Sequence, residues 1–180
     1  MNEIIDDFKN TWLKVMKTPD EFFGQMPTEG GYEDPIKFAA ISYLIAGIGL
    51  TIITLGAGFP LIIAMPIGGV IGLFIGGLFL NIFFKIVGGK GTYEGTFRLL
   101  AYASATMALG WIPLLGILAN IYMIYMEVIG GAKVHKLSTL SSLIAVFVIP
   151  VIIAIVLGIV FMVVFGAAIA GSIASMGGMY

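Results

Sequence analysis

The residues of this 180-residue chain with the type and spacing to do chemistry are few. One set consists of polar residues set inside otherwise uncharged stretches: Asn81, Asn120 and Glu127. Asn120, Met123 and Glu127 recur at helical spacing, which puts them on one face of a helix. An ionisable group within a membrane is costly and is a functional site by default. Glu127 is therefore the candidate for an intramembrane route or groove, with Asn120 beside it, Asn81 in a second stretch and Arg98 nearby. The competing reading makes Glu127 a lip-level carboxylate close to a loop and paired with Arg98 or Lys85. Two asparagines are too few to line a path.

A second set is basic and glycine-rich. Gly88-Gly89-Lys90-Gly91-Thr92 and Gly130-Gly131-Ala132-Lys133-Val134-His135-Lys136 both read as polar loops. The first is no nucleotide phosphate loop, because that pattern needs Lys followed directly by Ser or Thr and here Gly91 intervenes. Lys90, Arg98, Lys133 and Lys136 are nevertheless candidates to hold anionic lipid headgroups or a partner. The alternative is charge that only sets topology. His135 is the single histidine and is expected in a solvated loop. There is no HExxH pair, no Ser-His-Asp set and no cysteine. The expectation is no catalysis, no metal and no cofactor.

The elements that must position these residues follow from charge and hydropathy. Hydrophobic residues make up 59% of the chain and charged ones 11%, with a mean hydropathy of +1.09, far from a soluble domain's composition. No charged residue or histidine lies between Lys37 and Lys85, between Arg98 and Glu127, or after Lys136. A spanning helix needs about 20 apolar residues, so the first and last of these runs exceed one span each. The predicted fold is all-α: a polytopic five-helix transmembrane bundle with short amphipathic amino-terminal helices. Residues 1–34 are predicted as a cytoplasmic segment. Residues 35–180 form the membrane domain, with spans at about 35–55, 60–87, 96–110, 113–129 and 138–166. The third is about 22 Å long at 1.5 Å per residue. The third and fourth could cross fully or form a re-entrant hairpin, and the last could kink at Pro150 or end near Gly166.

In the first segment Ile5, Phe8, Trp12 and Val15 or Met16 recur at helical spacing, with acids leading and lysines following. This predicts an amphipathic helix on the membrane surface or on the bundle. Thr18-Pro19-Asp20-Glu21 is a start signal for a second short helix. Trp12 and Trp111 are expected at the interface. Gly68, Gly72 and Gly76, four apart, let another helix approach closely, either inside the bundle or as a homodimer seam. Gly166, Ala170 and Ala174 make a weaker stripe.

Five spans place all nine Lys and Arg on one side. The positive-inside rule makes that side cytoplasmic, with the amino terminus inside and the carboxyl terminus outside. The first 37 residues hold eight acids against four lysines, and the two loops with their flanks hold five bases against two acids. Docking of the acidic segment over the basic loops is expected. Bulk charge near zero points to no nucleic-acid partner.

The segment from Gly88 through Thr92-Tyr93-Glu94-Gly95-Thr96-Phe97-Arg98 to Ser104 resembles the approach to the third span in the YIP family, the Ypt/Rab-interacting multi-pass proteins, in their prokaryotic form. Trp111-Ile112-Pro113-Leu114-Leu115-Gly116 is similar to that family's Pro-x-x-Gly turn. Gly131 to Ser138, with His135, resembles its Gly-x-x-x-His segment ahead of the last span. Pro19, Phe22-Phe23 and Met26-Pro27 look like the prokaryotic members' opening. The resemblance implies five spans, a cytoplasmic amino terminus, no known catalysis and, in a prokaryote, the plasma membrane. Eukaryotic members act in membrane traffic through a longer amino-terminal region. The expected function is a non-enzymatic membrane-organising or scaffold protein with a cytoplasmic or membrane partner. A small transporter, channel or lipid-translocating protein, with a groove near Glu127, Asn120 and Arg98, is the alternative.

Overall fold

A computed structural model describes residues 2–177, with side-chain surroundings from Glu3 to Val163 and at Phe165. Every regular element among them is helical. In chain order these are α1 (Asn2–Lys17), α2 (Pro19–Gln25), α3 (Glu33–Ile53), α4 (Leu61–Ile86), α5 (Tyr93–Ala103), α6 (Met107–Gly110), α7 (Leu115–His135), α8 (Thr139–Leu143) and α9 (Ile149–Gly177). A 3-10 turn, Ser104–Thr106, joins α5 to α6, and a π turn covers Ile144–Val148, directly ahead of Pro150. The chain divides into two compact units, Met1–Val146 and Phe147–Tyr180.

Among the described residues, four helices are long and apolar enough to cross a membrane: Glu33–Ile53, Leu61–Ile86, Leu115–His135 and the stretch Thr139–Val163. The segment expected as the third span is different. It starts at Tyr93, carries Glu94 and Arg98, and is broken by the 3-10 turn. Its burial explains how a polar helix is tolerated: every residue from Gly95 to Thr106 is buried. In the first unit α5 is the centre. It packs against α3, α4 and α7, with α1 on the same side as the 3-10 turn.

The outward faces are apolar. Ile63, Ile67, Ile71, Ile75 and Phe79 of α4 are each more than half exposed, which suits a hydrocarbon solvent and would be a liability in water. The inward face of the same helix is Leu73, Gly77, Leu80 and Phe84.

The amino-terminal segment lies on the bundle. Phe8, Trp12, Val15 and Met16 pack inward, while Ile4 and Ile5 stay exposed. Trp12 Nε1 donates to the carbonyl of Ala105, 2.9 Å, and the Tyr122 hydroxyl donates to the carbonyl of Met16, 2.7 Å. Thr18 of the predicted start signal does not cap α2. Its hydroxyl instead donates back to the Lys14 carbonyl, 3.2 Å, so α2 starts without a side-chain cap.

The polar loop expected at 130–136 is also corrected. α7 stays helical through Gly130 and Gly131 to His135, and Lys136 takes the left-handed conformation that ends it. The two glycines serve packing: a Cβ on Gly130 would collide with Leu99, and one on Gly131 with the Phe84 ring. The chain then turns, and the Ser138 hydroxyl accepts from Ser141 N, 3.1 Å, to start α8. α9 continues past Gly166 to Gly177. The side chains of Gly166, Ala170 and Ala174, and the carboxyl terminus, lie outside the described residues.

Candidate functional site

A buried helix that carries polar residues must find partners for them. α5 and the 3-10 turn after it carry Thr96, Arg98, Ser104 and Thr106, all buried. Ser104 and Thr106 turn to backbone carbonyls three residues back. Thr96 and Arg98 reach other segments, and the site is built from those reaches.

Thr92 caps α5 by accepting from Gly95 N, 3.1 Å, which fixes where Thr96 falls one turn later. The Thr96 hydroxyl lies 2.8 Å from His135 Nε2, 3.2 Å from Asn81 Oδ1 and 3.1 Å from the Thr92 carbonyl. A hydroxyl has one proton. Donation to Asn81 or Thr92 leaves its lone pair for an Nε2–H of His135. The imidazole stacks on Phe84, centroids 4.2 Å apart at 28°. The His135 carbonyl accepts from Lys90 N, 3.0 Å. One junction thus ties α4, α5, α7 and the 88–92 loop.

The loop's glycines are required there. A Cβ on Gly89 or on Gly91 would stand 2.9 Å from His135 Nδ1, and on Gly91 also 2.7 Å from the Val134 carbonyl. Nδ1 itself is buried without a partner among the described residues. The solvated loop expected for His135 is therefore overturned: the residue is fully buried, because α7 continues one and a half turns beyond the expected end. A signal was available. Val128, Gly131 and His135 follow helical spacing, so the imidazole shares the inward face of α7.

Arg98 forms the second junction. It is 6% exposed, and one Nη donates to the Gly31 carbonyl, 2.6 Å. Glu94, one turn earlier, lies 3.9 Å from the guanidinium and accepts from Gly31 N, 2.6 Å. The pair grips Gly31 by both of its backbone groups. Of the four candidate basic residues, Arg98 is thus turned inward, whereas Lys90, Lys133 and Lys136 are exposed. Lys133 is 3.0 Å from a carboxylate oxygen of Asp20. Asp20 and Gly31 are the two points where the amino-terminal segment meets the basic groups.

The remaining expected residues are not drawn together. Glu127 is half-buried, and no ion pair joins it to Arg98 or Lys85 among the described residues. Asn120 is exposed and donates to its own helix at the Gly116 carbonyl, 2.7 Å. A groove of Glu127, Asn120 and Arg98 does not form, since Arg98 is spent on Gly31 and Asn120 faces out. Asn81 belongs with Thr96 instead. Gly68, Gly72 and Gly76 face open space, and α4 meets its neighbours through Gly69 under Tyr43 and Gly77 beside Phe97. The shift of one residue turns the stripe about 100° around the helix, out of the bundle. Trp12 is half-buried in its bond to Ala105. Trp111 lies over Gly49 of α3 and donates to the Ala108 carbonyl, 2.9 Å.

These features define a multi-pass helical membrane protein in which two polar junctions tie helices and loops together. The chain belongs to the Yip1-domain family, whose model, the Yip1 domain, matches residues 13–162. No curated protein and no solved structure matches it. The members of this family are not known as enzymes.

Proposed function

We propose that this protein is a non-enzymatic membrane scaffold that crosses the bilayer five times and meets its partner on the cytoplasmic face. The observation that carries the reading is the assembly of that face. Asp20 on Lys133 and Gly31 on Arg98 and Glu94 hold α1, α2 and the following loop against the bundle. Lys90, Lys133 and Lys136 are left exposed beside them. The four apolar helices and α5–α6 supply the five crossings, with all nine basic groups inside. The Yip1-domain match supports a role in organising membranes. The exposed lysines suit anionic headgroups, and the open Gly68, Gly72 and Gly76 face suits a second copy or another membrane protein.

The test is affinity purification of the full chain from native membranes, beside a Lys90→Glu, Lys136→Glu double variant. The expected result is a partner retained by the first and lost by the second. Ion flux or lipid scrambling in proteoliposomes, abolished by Glu127→Gln, would overturn the scaffold reading in favour of transport.

A further inference from the structure

The turn between α3 and α4, residues 54–60, is irregular, and every residue in it except Gly58 is exposed. It carries no charge, and neither does any residue from Phe38 to Phe84. An exposed turn in water can leave its N–H groups to the solvent. Here all six N–H groups of residues 54–59 donate within the turn or to the end of α3, at 2.8–3.1 Å. Pro60 has no N–H. Five of the six reach carbonyls, and Gly58 N reaches the Thr54 hydroxyl, which itself donates to the Leu50 carbonyl at 2.7 Å. A Cβ on Gly58 would stand 2.8 Å from that hydroxyl oxygen, so this closure needs glycine. The connection between α2 and α3 is the opposite case. Of the N–H groups of residues 28–32, that of Gly31 alone has a partner among the described residues.

Leu55 supplies an independent observation. Its φ is 53°, a left-handed conformation that strains an L side chain and leaves glycine at ease. The side chain kept there is 97% exposed, and that of Phe59 is 66% exposed. In water neither would offset the strain. Among acyl chains both are removed from water, which is favourable for apolar groups.

Depth agrees with this. The stretch from Lys37 to Leu55 reaches about 27 Å at 1.5 Å per residue, and the hydrocarbon layer is about 30 Å thick. With Lys37 at the headgroups of one leaflet, Leu55 falls at the far edge of the hydrocarbon and not beyond it. We propose that the 54–60 turn is a lipid-contact site, seated where acyl chains meet glycerol in the leaflet opposite Lys37, with Leu55 and Phe59 among the acyl chains. Irregular backbone is kept out of lipid because its polar groups go unmet. The turn meets its own donors. The carbonyls of Leu55 and Ala57 accept none of these bonds, and interfacial water reaches them at the boundary. The site sets the depth of the α3–α4 hairpin and leaves no water-borne surface on this turn for a soluble partner. It rests on membrane residence and not on the scaffold reading.

The chain has no native cysteine, so a nitroxide can be attached at one position at a time. The test is power-saturation electron paramagnetic resonance of the full chain in vesicles of phosphatidylcholine and phosphatidylglycerol. It compares collisions with oxygen, which concentrates among acyl chains, and with a water-soluble nickel chelate. Labels on Leu55→Cys and Phe59→Cys should collide severalfold more with oxygen than with the chelate, and a label on Glu29→Cys should do the reverse. A label on Ala57→Cys should shift toward the chelate when Leu55→Ser and Phe59→Ser are added. Far-ultraviolet circular dichroism checks each fold, and if Leu55→Cys loses helix, Phe59→Cys decides in its place. Chelate access at the turn equal to that at Glu29 would put the turn in water and overturn the proposal. Poor access to both reagents would mean that protein covers the turn, and would overturn it equally. A label at Ala57 unmoved by the two serines would overturn the assignment of Leu55 and Phe59 to the acyl chains.

Discussion

His135 and Thr96, 39 positions apart in the sequence, meet at 2.8 Å between an imidazole nitrogen and a hydroxyl, both fully buried. Thr96→Val keeps the shape and removes the hydroxyl, leaving a ring nitrogen and the Asn81 carbonyl oxygen without it. An unsatisfied buried polar group costs about 1–3 kcal/mol. Thr96→Val should therefore lower thermal stability in detergent, read by intrinsic fluorescence. His135→Ala should cost more, because the contact on Phe84 goes as well. The double variant should fall short of the sum by roughly 0.5–3 kcal/mol, the coupling expected of residues in contact. Strict additivity would mean that the hydrogen bond is not formed.

Glycines of this chain should divide sharply by surroundings. Gly91→Ala puts a methyl group 2.7 Å from the Val134 carbonyl and 2.9 Å from His135 Nδ1. Overpacking of that kind costs roughly 1–3 kcal/mol. Gly72→Ala meets nothing within 4 Å inside the chain and replaces a poor helix former with a good one, a gain of up to about 1 kcal/mol. Melting temperatures of the two variants should move in opposite directions. A loss at Gly72 together with a change in oligomeric state, by crosslinking in membranes, would show that the outer stripe is occupied by another helix.

What could be read in the sequence follows the length of the pattern. Uncharged runs as long as the one from Lys37 to Lys85 demand a membrane and a turn whatever the packing. Ser138, at the predicted start of the last span, begins α8 with a side-chain cap. The failures are tertiary. Gly130-Gly131 looks like a loop in isolation, since glycine is a poor helix former, and only the bulk of Leu99 and Phe84 opposite explains why the helix needs it. The same misreading carried His135 into solvent. Gly68, Gly72 and Gly76 form the tidier motif, yet Gly69 and Gly77 make the contacts, because spacing tells which glycines share a face and not which way that face points. Arg98 was legible as a cation and not as a residue turned inward on Gly31.

Topology is open to direct measurement. Reporter domains fused after Ala57 and after Ile112 should read outside. Fusions after Lys90 and after Lys136 should read inside, in keeping with the basic flanks. The test bears most on Tyr93–Gly110, the segment broken between α5 and α6. If α5–α6 and α7 formed a re-entrant hairpin, Ile112 would remain shielded from an outside reagent while Lys90 and Lys136 stayed inside. Labelling of a single cysteine at Ile112 by an impermeant maleimide, in a chain that has no native cysteine, separates the two arrangements.

The two contacts that hold the amino-terminal segment should differ in strength and in response to salt. The Lys133–Asp20 pair is well exposed, with 42% and 64% of the two side chains accessible. Such pairs contribute about 0–1 kcal/mol and are screened by salt. Arg98 is 6% exposed, and its bond to the Gly31 carbonyl is charge-assisted. Losing a hydrogen bond to a charged group costs about 1.5–3 kcal/mol. Arg98→Met should therefore free the 26–32 segment to protease in detergent at any ionic strength. Lys133→Glu should do so weakly, and chiefly at low salt, where repulsion from Asp20 is unscreened. The measurement is the rate of limited proteolysis between Met26 and Tyr32 at two salt concentrations. Equal rates for the two variants would mean that the grip on Gly31 does not hold the segment.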